Sequence, residues 1–166
     1  MKKQLLRLST MCLLLMLAIV GKAETITATW SFTNKDVVTA VTALSGKSEA
    51  GTVESVEKNG VLLTVNANGQ TIRDNGNSIQ TGNGVVFQVP VVSTNDVVTV
   101  TGYAAPYFAY AIGGVDATEA ITAHNATANE VAKGYVEIVN KGPPWGADAL
   151  WQSTCLRIHP LRLPSP

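Results

Sequence analysis

Three of the four tyrosines fall in one short run, Tyr103-Ala104-Ala105-Pro106-Tyr107-Phe108-Ala109-Tyr110. A sugar ring has an apolar face that stacks on aromatics, and tyrosine offers a large contact at low rotamer cost. Sugar hydroxyls pair with planar polar groups. The polar stretch 68–83 supplies such groups in Arg73, Asp74, Asn75, Asn77 and Gln80. Together these residues outline a shallow saccharide site at one end of a β-domain, where loops normally carry function. A blander reading stands beside it. Tyr103 and Tyr110 also fit as strand residues facing a core, Arg73-Asp74 as a surface pair, and the Asn-Gly clusters as ordinary turns.

The catalytic inventory is thin. Beyond residue 23 there are two histidines, His124 and His159. No Gly-x-Ser-x-Gly elbow occurs, and no His/Cys cluster has a zinc-ligand spacing. Gly82-Asn83-Gly84 lacks the Lys-Ser/Thr and helix of a phosphate loop. A glycosidase carboxylate pair stays open from sequence, though only 12 acids exist to supply it. The expectation is a non-catalytic chain without cofactor or metal. Asn125-Ala126-Thr127 matches a glycosylation sequon, a pattern common by chance.

The elements that must position these groups read as strands. Residues 24–141 hold 19 Val and 16 Thr but only three Leu. β-branched side chains are stiff at χ1 and suit a pleated, half-buried surface. Ile26, Ala28, Trp30 and Phe32 alternate with polar residues, which puts Trp30 on the core face. Segment 36–44 is either a short helix capped by Asp36 or a loop. Residues 52–56 and 61–66 flank Asn59-Gly60 as a hairpin. Residues 67–84 read as a polar loop. Further strands cover 85–92, with Pro90 marking an edge or bulge, then 97–103, 107–112, 119–124 and 135–139. About eight strands with no long helix predict an all-β, two-sheet antiparallel sandwich of jelly-roll or Greek-key type.

The first 23 residues read as a cleaved secretory signal. Lys2, Lys3 and Arg7 precede the apolar run 8–20, which is too short for a stable anchor, and Gly21-Lys22-Ala23 supplies small residues before the cut. Cys12 lies inside the run, not at its end, so it is not a lipid attachment site. Cleavage leaves Cys155 as a lone thiol. It also leaves 8 basic and 12 acidic residues. So few cations draw no basic face for nucleic acid, and 14% charged residues exclude a charge-rich disordered chain. The composition breaks near residue 141. Residues 142–166 hold five of the seven Pro, two of the three Trp and Cys155. They read as an atypical tail from a frameshifted or truncated gene, or as a last strand through Leu156-Arg157-Ile158.

The ordered set Ala28-Thr29-Trp30-Ser31-Phe32-Thr33-Asn34, Gly51-Thr52-Val53-Glu54-Ser55-Val56, Val61-Leu62-Leu63-Thr64-Val65, Val86-Phe87-Gln88-Val89-Pro90-Val91, Asp96-Val97-Val98-Thr99-Val100, Ala111-Ile112-Gly113-Gly114 and Ala132-Lys133-Gly134-Tyr135-Val136-Glu137-Ile138-Val139 resembles an accessory domain of exported Bacteroidetes proteins. In that family the domain is a carbohydrate-binding-type β-sandwich between the signal and the catalytic domain of pectate lyases and pectinesterases. The resemblance covers residues 24–141. It implies a secreted accessory module for pectic polysaccharide, with Arg73, Asp74, Tyr103, Tyr107 and Tyr110 as carried-over site candidates. It also implies periplasmic or surface localisation, with no membrane partner after signal cleavage. The alternative is a structural spacer or exported assembly subunit that binds no glycan.

Overall fold

The computed structural model describes residues 24–102, 110–142 and 151–163. Residues 1–23, read above as a signal, Tyr103, Tyr107 and the Pro143-Pro144-Trp145 run therefore lie outside the described residues. The chain is mostly β, and every strand pairing is antiparallel.

In chain order the elements are β1 (Glu24–Ser31), α1 (Lys35–Thr42), β2 (Gly51–Glu54), β3 (Leu62–Asn66), β4 (Ile72–Asp74), β5 (Ile79–Thr81), β6 (Val86–Pro90), β7 (Val97–Gly102), β8 (Tyr110–Ile112), β9 (Val115–Asp116), β10 (Ile121–Asn125), α2 (Ala128–Lys133), β11 (Tyr135–Asn140) and β12 (Trp151–Leu163). One sheet, A, runs β10-β7-β12-β5-β4, with β1 also paired to β12; the other, B, runs β2-β3-β6-β11-β8-β9. Among the described residues there are thus twelve strands, where the sequence spacing gives about eight. The difference is β4, β5 and β9, each of two or three residues in stretches that read as loops, together with β12.

β12 falls beyond residue 141, and Leu156-Arg157-Ile158 lies at its centre. Leu156 pairs with Trp30 of β1 and Val100 of β7, and Ile158 with Ala28 and Val98. Between Ile26 and Ala28 the register slips: Thr27 stands against His159 and Pro160. A bulge is where a proline, with no N–H to donate, fits a paired strand. The other side of β1 is covered by the turn after β2. Val56 N donates to Thr29 O at 2.6 Å, and Asn59 Nδ2 donates to Thr27 O at 2.8 Å.

Both sheets contribute to one buried cluster. Trp30, Val98 and Ile79 come from sheet A, and Val53, Leu63, Phe87 and Ile138 from sheet B. Phe32 meets Phe87 with ring centroids 6.3 Å apart and planes tilted by 47°, within the range of favourable aromatic pairs. Trp30 Nε1 donates to Val53 O at 3.0 Å, so the largest core side chain also binds the two sheets through a polar contact. α1 adds Val37, Val38 and Val41 to the core. Its N-cap is Asn34, not Asp36: Asn34 Oδ1 accepts from the N–H groups of Asp36 and Val37 at 2.9 and 3.3 Å. No helix among the described residues is long and apolar enough to cross a membrane.

Candidate functional site

A polar cleft of about 320 Å³ opens beside the Gly113-Gly114 turn, lined also by Thr127, Asn129, Glu130, Lys133, Tyr135 and Glu137. Its volume is that of a small-ligand cleft, about 300–1,000 Å³. Two sequence features build it. β11 alternates, with Val136, Ile138 and Asn140 buried and Tyr135, Glu137 and Val139 half-buried on the opposite face. α2 begins on a capping box: the Thr127 side chain accepts from Glu130 N while the Glu130 carboxylate accepts from Thr127 N at 2.7 Å. Gly134 then ends the helix in the left-handed conformation, φ 88°, which glycine adopts without steric cost. It turns the chain directly into β11.

Glu130 is the most heavily bonded group of the cleft. Its carboxylate accepts from Thr127 N, from Thr127 Oγ1 at 2.8 Å and from His124 Nε2, which is 2.9 Å from both oxygens. An ionised carboxylate only accepts, so the Nε2 atom of His124 carries the proton. Burial acts to raise the Glu130 pKa, but the donors of Thr127 and His124 outweigh it and hold the carboxyl below its ordinary 4.5. Gly113 lies against this pair. A Cβ there would collide with His124 Cε1 and stand 2.6 Å from Glu130 Oε1, at a φ of +57°. The turn therefore admits no side chain while the pair is made.

A depressed pKa stabilises the fold above the unfolded value and loses that contribution as pH falls through the folded one. We therefore expect the stability difference between wild type and Glu130→Gln to shrink as pH is lowered from about 5 to about 3. Urea midpoints of both proteins across that range check this, and a difference constant with pH would refute it.

The remaining charges of the cleft are uncommitted to each other. Among the described residues neither Lys133 nor Glu137 makes an ion pair within 4 Å. Glu137 accepts from Gln88 Nε2 at 3.3 Å. The cleft thus offers a cationic donor, a carboxylate acceptor, an amide and a partly exposed tyrosine to one small polar ligand.

The residues expected from sequence stand elsewhere. Arg73 and Asp74 are exposed on β4, an outer strand of sheet A. Asp74 Oδ1 accepts from Gly76 N at 2.7 Å and shapes the turn to β5. Gln80, opposite Arg73 in register, is half-buried. Tyr110, carried as a stacking candidate with a core position as its alternative, stands in the core: it is 1% exposed and belongs to a strand buried throughout. Burial pushes its phenol above the ordinary value, against a hydrogen bond with the Thr122 side chain. Its ring has no face to offer a sugar. Tyr103 and Tyr107 lie outside the described residues.

The cleft residues were within reach of sequence reasoning. Thr127-x-x-Glu130 is a capping-box signature, and it overlaps the Asn125-Ala126-Thr127 sequon. Alternation through 135–139 already places Tyr135 and Glu137 together. The approach of His124 from another strand has no local signal. A second cleft of about 270 Å³, lined by Asn34, Asp36, Glu54 and Lys58 among others, is lined also by Val37, Ala40, Val53 and Val56, which gives it fewer groups for a polar ligand. Among the described residues no group of three His, Cys, Asp or Glu is placed to hold a metal ion.

No family model matches the chain, and neither a curated protein nor a solved structure matches it.

Proposed function

We propose that the chain is an exported, non-catalytic β-sandwich module of jelly-roll type that binds carbohydrate. In this reading it holds a polysaccharide-degrading protein on pectic plant material. The cleft carries the proposal: Tyr135, Glu137 and Lys133 surround a small-ligand volume with an apolar ring, an acceptor and a donor, the three kinds of contact a sugar needs. The two-sheet arrangement around one core cluster supports the sandwich form. Binding then acts by tethering, which raises the effective concentration of a linked activity without new chemistry.

Affinity gel electrophoresis of the purified chain through pectic fractions tests this. Retardation is expected, with Tyr135→Ala weakening it about two- to tenfold, the loss of one aromatic contact worth about 0.5–1.5 kcal/mol. Retardation lost with Tyr103→Ala and Tyr107→Ala but not with Tyr135→Ala moves the site to the tyrosine run. Unretarded migration in every fraction ends the reading.

A further inference from the structure

Resting on that carbohydrate-binding reading, we infer that the cleft is one end of a trough across sheet B, and that the trough takes a linear, uncharged polyhydroxylated chain in preference to a polyuronate. Strand register makes the case. Thr52 stands opposite Thr64, Thr64 opposite Gln88, and Gln88 opposite Glu137. Thr64, Gln88 and Glu137 each stand between two buried neighbours and Thr52 precedes the buried Val53, so all four lie on the outward face, exposed or half-buried. With neighbouring strands about 4.8 Å apart, the row spans about 14 Å and runs into the cleft. Two positions before Thr64 and Glu137, on the same face, stand Leu62, 48% exposed, and Tyr135, half-buried. A polar row with an apolar margin matches a saccharide chain, whose ring faces are apolar and whose edges carry hydroxyls.

Charge selects the kind of chain. β2, β3, β6 and β11 contain no Lys or Arg, while Glu54 and Glu137 lie on the outward face. A carboxylate accepts hydroxyl hydrogens, so Glu137 suits a neutral sugar edge. A uronate carboxylate has no hydrogen to give and repels Glu137. Among the described residues Lys133 is the only cation lining the cleft, and it shares the cleft with Glu130 and Glu137, so a repeating anionic chain finds no row of partners there.

Isothermal titration of the chain with galactan oligosaccharides of increasing length, and with methyl-esterified and de-esterified oligogalacturonates, tests the inference. Affinity should rise with length for the uncharged ligands and exceed that for the de-esterified one at least tenfold. Thr64→Ala with Gln88→Ala should weaken uncharged binding about tenfold at an unchanged thermal midpoint, and Thr64→Ser should retain it. Glu137→Gln should narrow the gap between uncharged and uronate ligands. Equal or tighter binding of the de-esterified oligomer overturns the charge preference and leaves carbohydrate binding standing. Uncharged binding indifferent to Thr64 and Gln88 overturns the trough. Heat from none of the ligands overturns both the inference and the reading beneath it.

Discussion

Replacing Trp30 with alanine is expected to cost about 3–5 kcal/mol, the range for emptying a large buried aromatic site. Domains of this size are stable by only about 5–15 kcal/mol, so the variant should have a large unfolded fraction in mild denaturant. Trp30 is fully buried, and its indole N–H holds the Val53 carbonyl of the other sheet. The substitution therefore removes volume and strands a buried acceptor together. Trp30→Phe separates the two effects. It retains most of the packing, loses the donor, and should cost about 1–3 kcal/mol, the penalty of an unsatisfied buried polar group. Urea titrations of the three proteins give the comparison. A Trp30→Ala loss under about 1 kcal/mol would contradict a shared core closed on this residue.

The second large effect concerns β12. Ile158 pairs with β1 on one side and β7 on the other. Proline there removes a backbone donor from an interior strand, and it should cost about 3 kcal/mol or more, as it does inside regular structure. Leu163→Pro, at the strand's last described position, should cost far less. β1 has no other strand partner among the described residues, and the β4–β5 hairpin joins sheet A only through β12. The loss should therefore spread through sheet A, seen as reduced β ellipticity and early proteolysis after β1. Equal tolerance of both prolines would show that β12 does not close the sheet.

Much of this architecture is written locally. The alternation through Ile26, Ala28 and Trp30, the Asn59-Gly60 turn and the Val-rich runs of β6, β7 and β11 each declare a strand by period and turn chemistry. β4, β5 and β9 are too short for any period to show, and partner strands hold them. β12 shows in the sequence only as one of two readings of the tail, centred on Leu156-Arg157-Ile158, and for a different reason. Leu156 and Ile158 alternate with charged or polar residues, and so do Leu161 and Leu163, but the second pair is one position out of phase. The slip falls at His159-Pro160, where the register with β1 also shifts. A bulge cannot be seen by a test for strict alternation. The site divides in the same way. Tyr135 and Glu137 share a strand face and could be read from spacing. The alignment of Thr52, Thr64, Gln88 and Glu137 depends on three separate registers, and the meeting of His124 with Glu130 on a tertiary approach.

Glu24, the first described residue, pairs with Leu163, the last. This contact joins positions separated by nearly the whole described chain, and it belongs to the longest ladder in sheet A. Closing so large a loop costs only about 2 kcal/mol more than closing one a tenth as long, so equilibrium stability suffers little. The burden is kinetic. Folding rates fall as the mean separation of contacting residues grows, and a nascent chain that has reached only residue 142 has both flanks of sheet A without the strand that joins them. Completion of this sheet therefore belongs to the time after synthesis of β12, and until then the hydrogen-bonding edges of β1 and β7 stay open to whatever extended segment reaches them first.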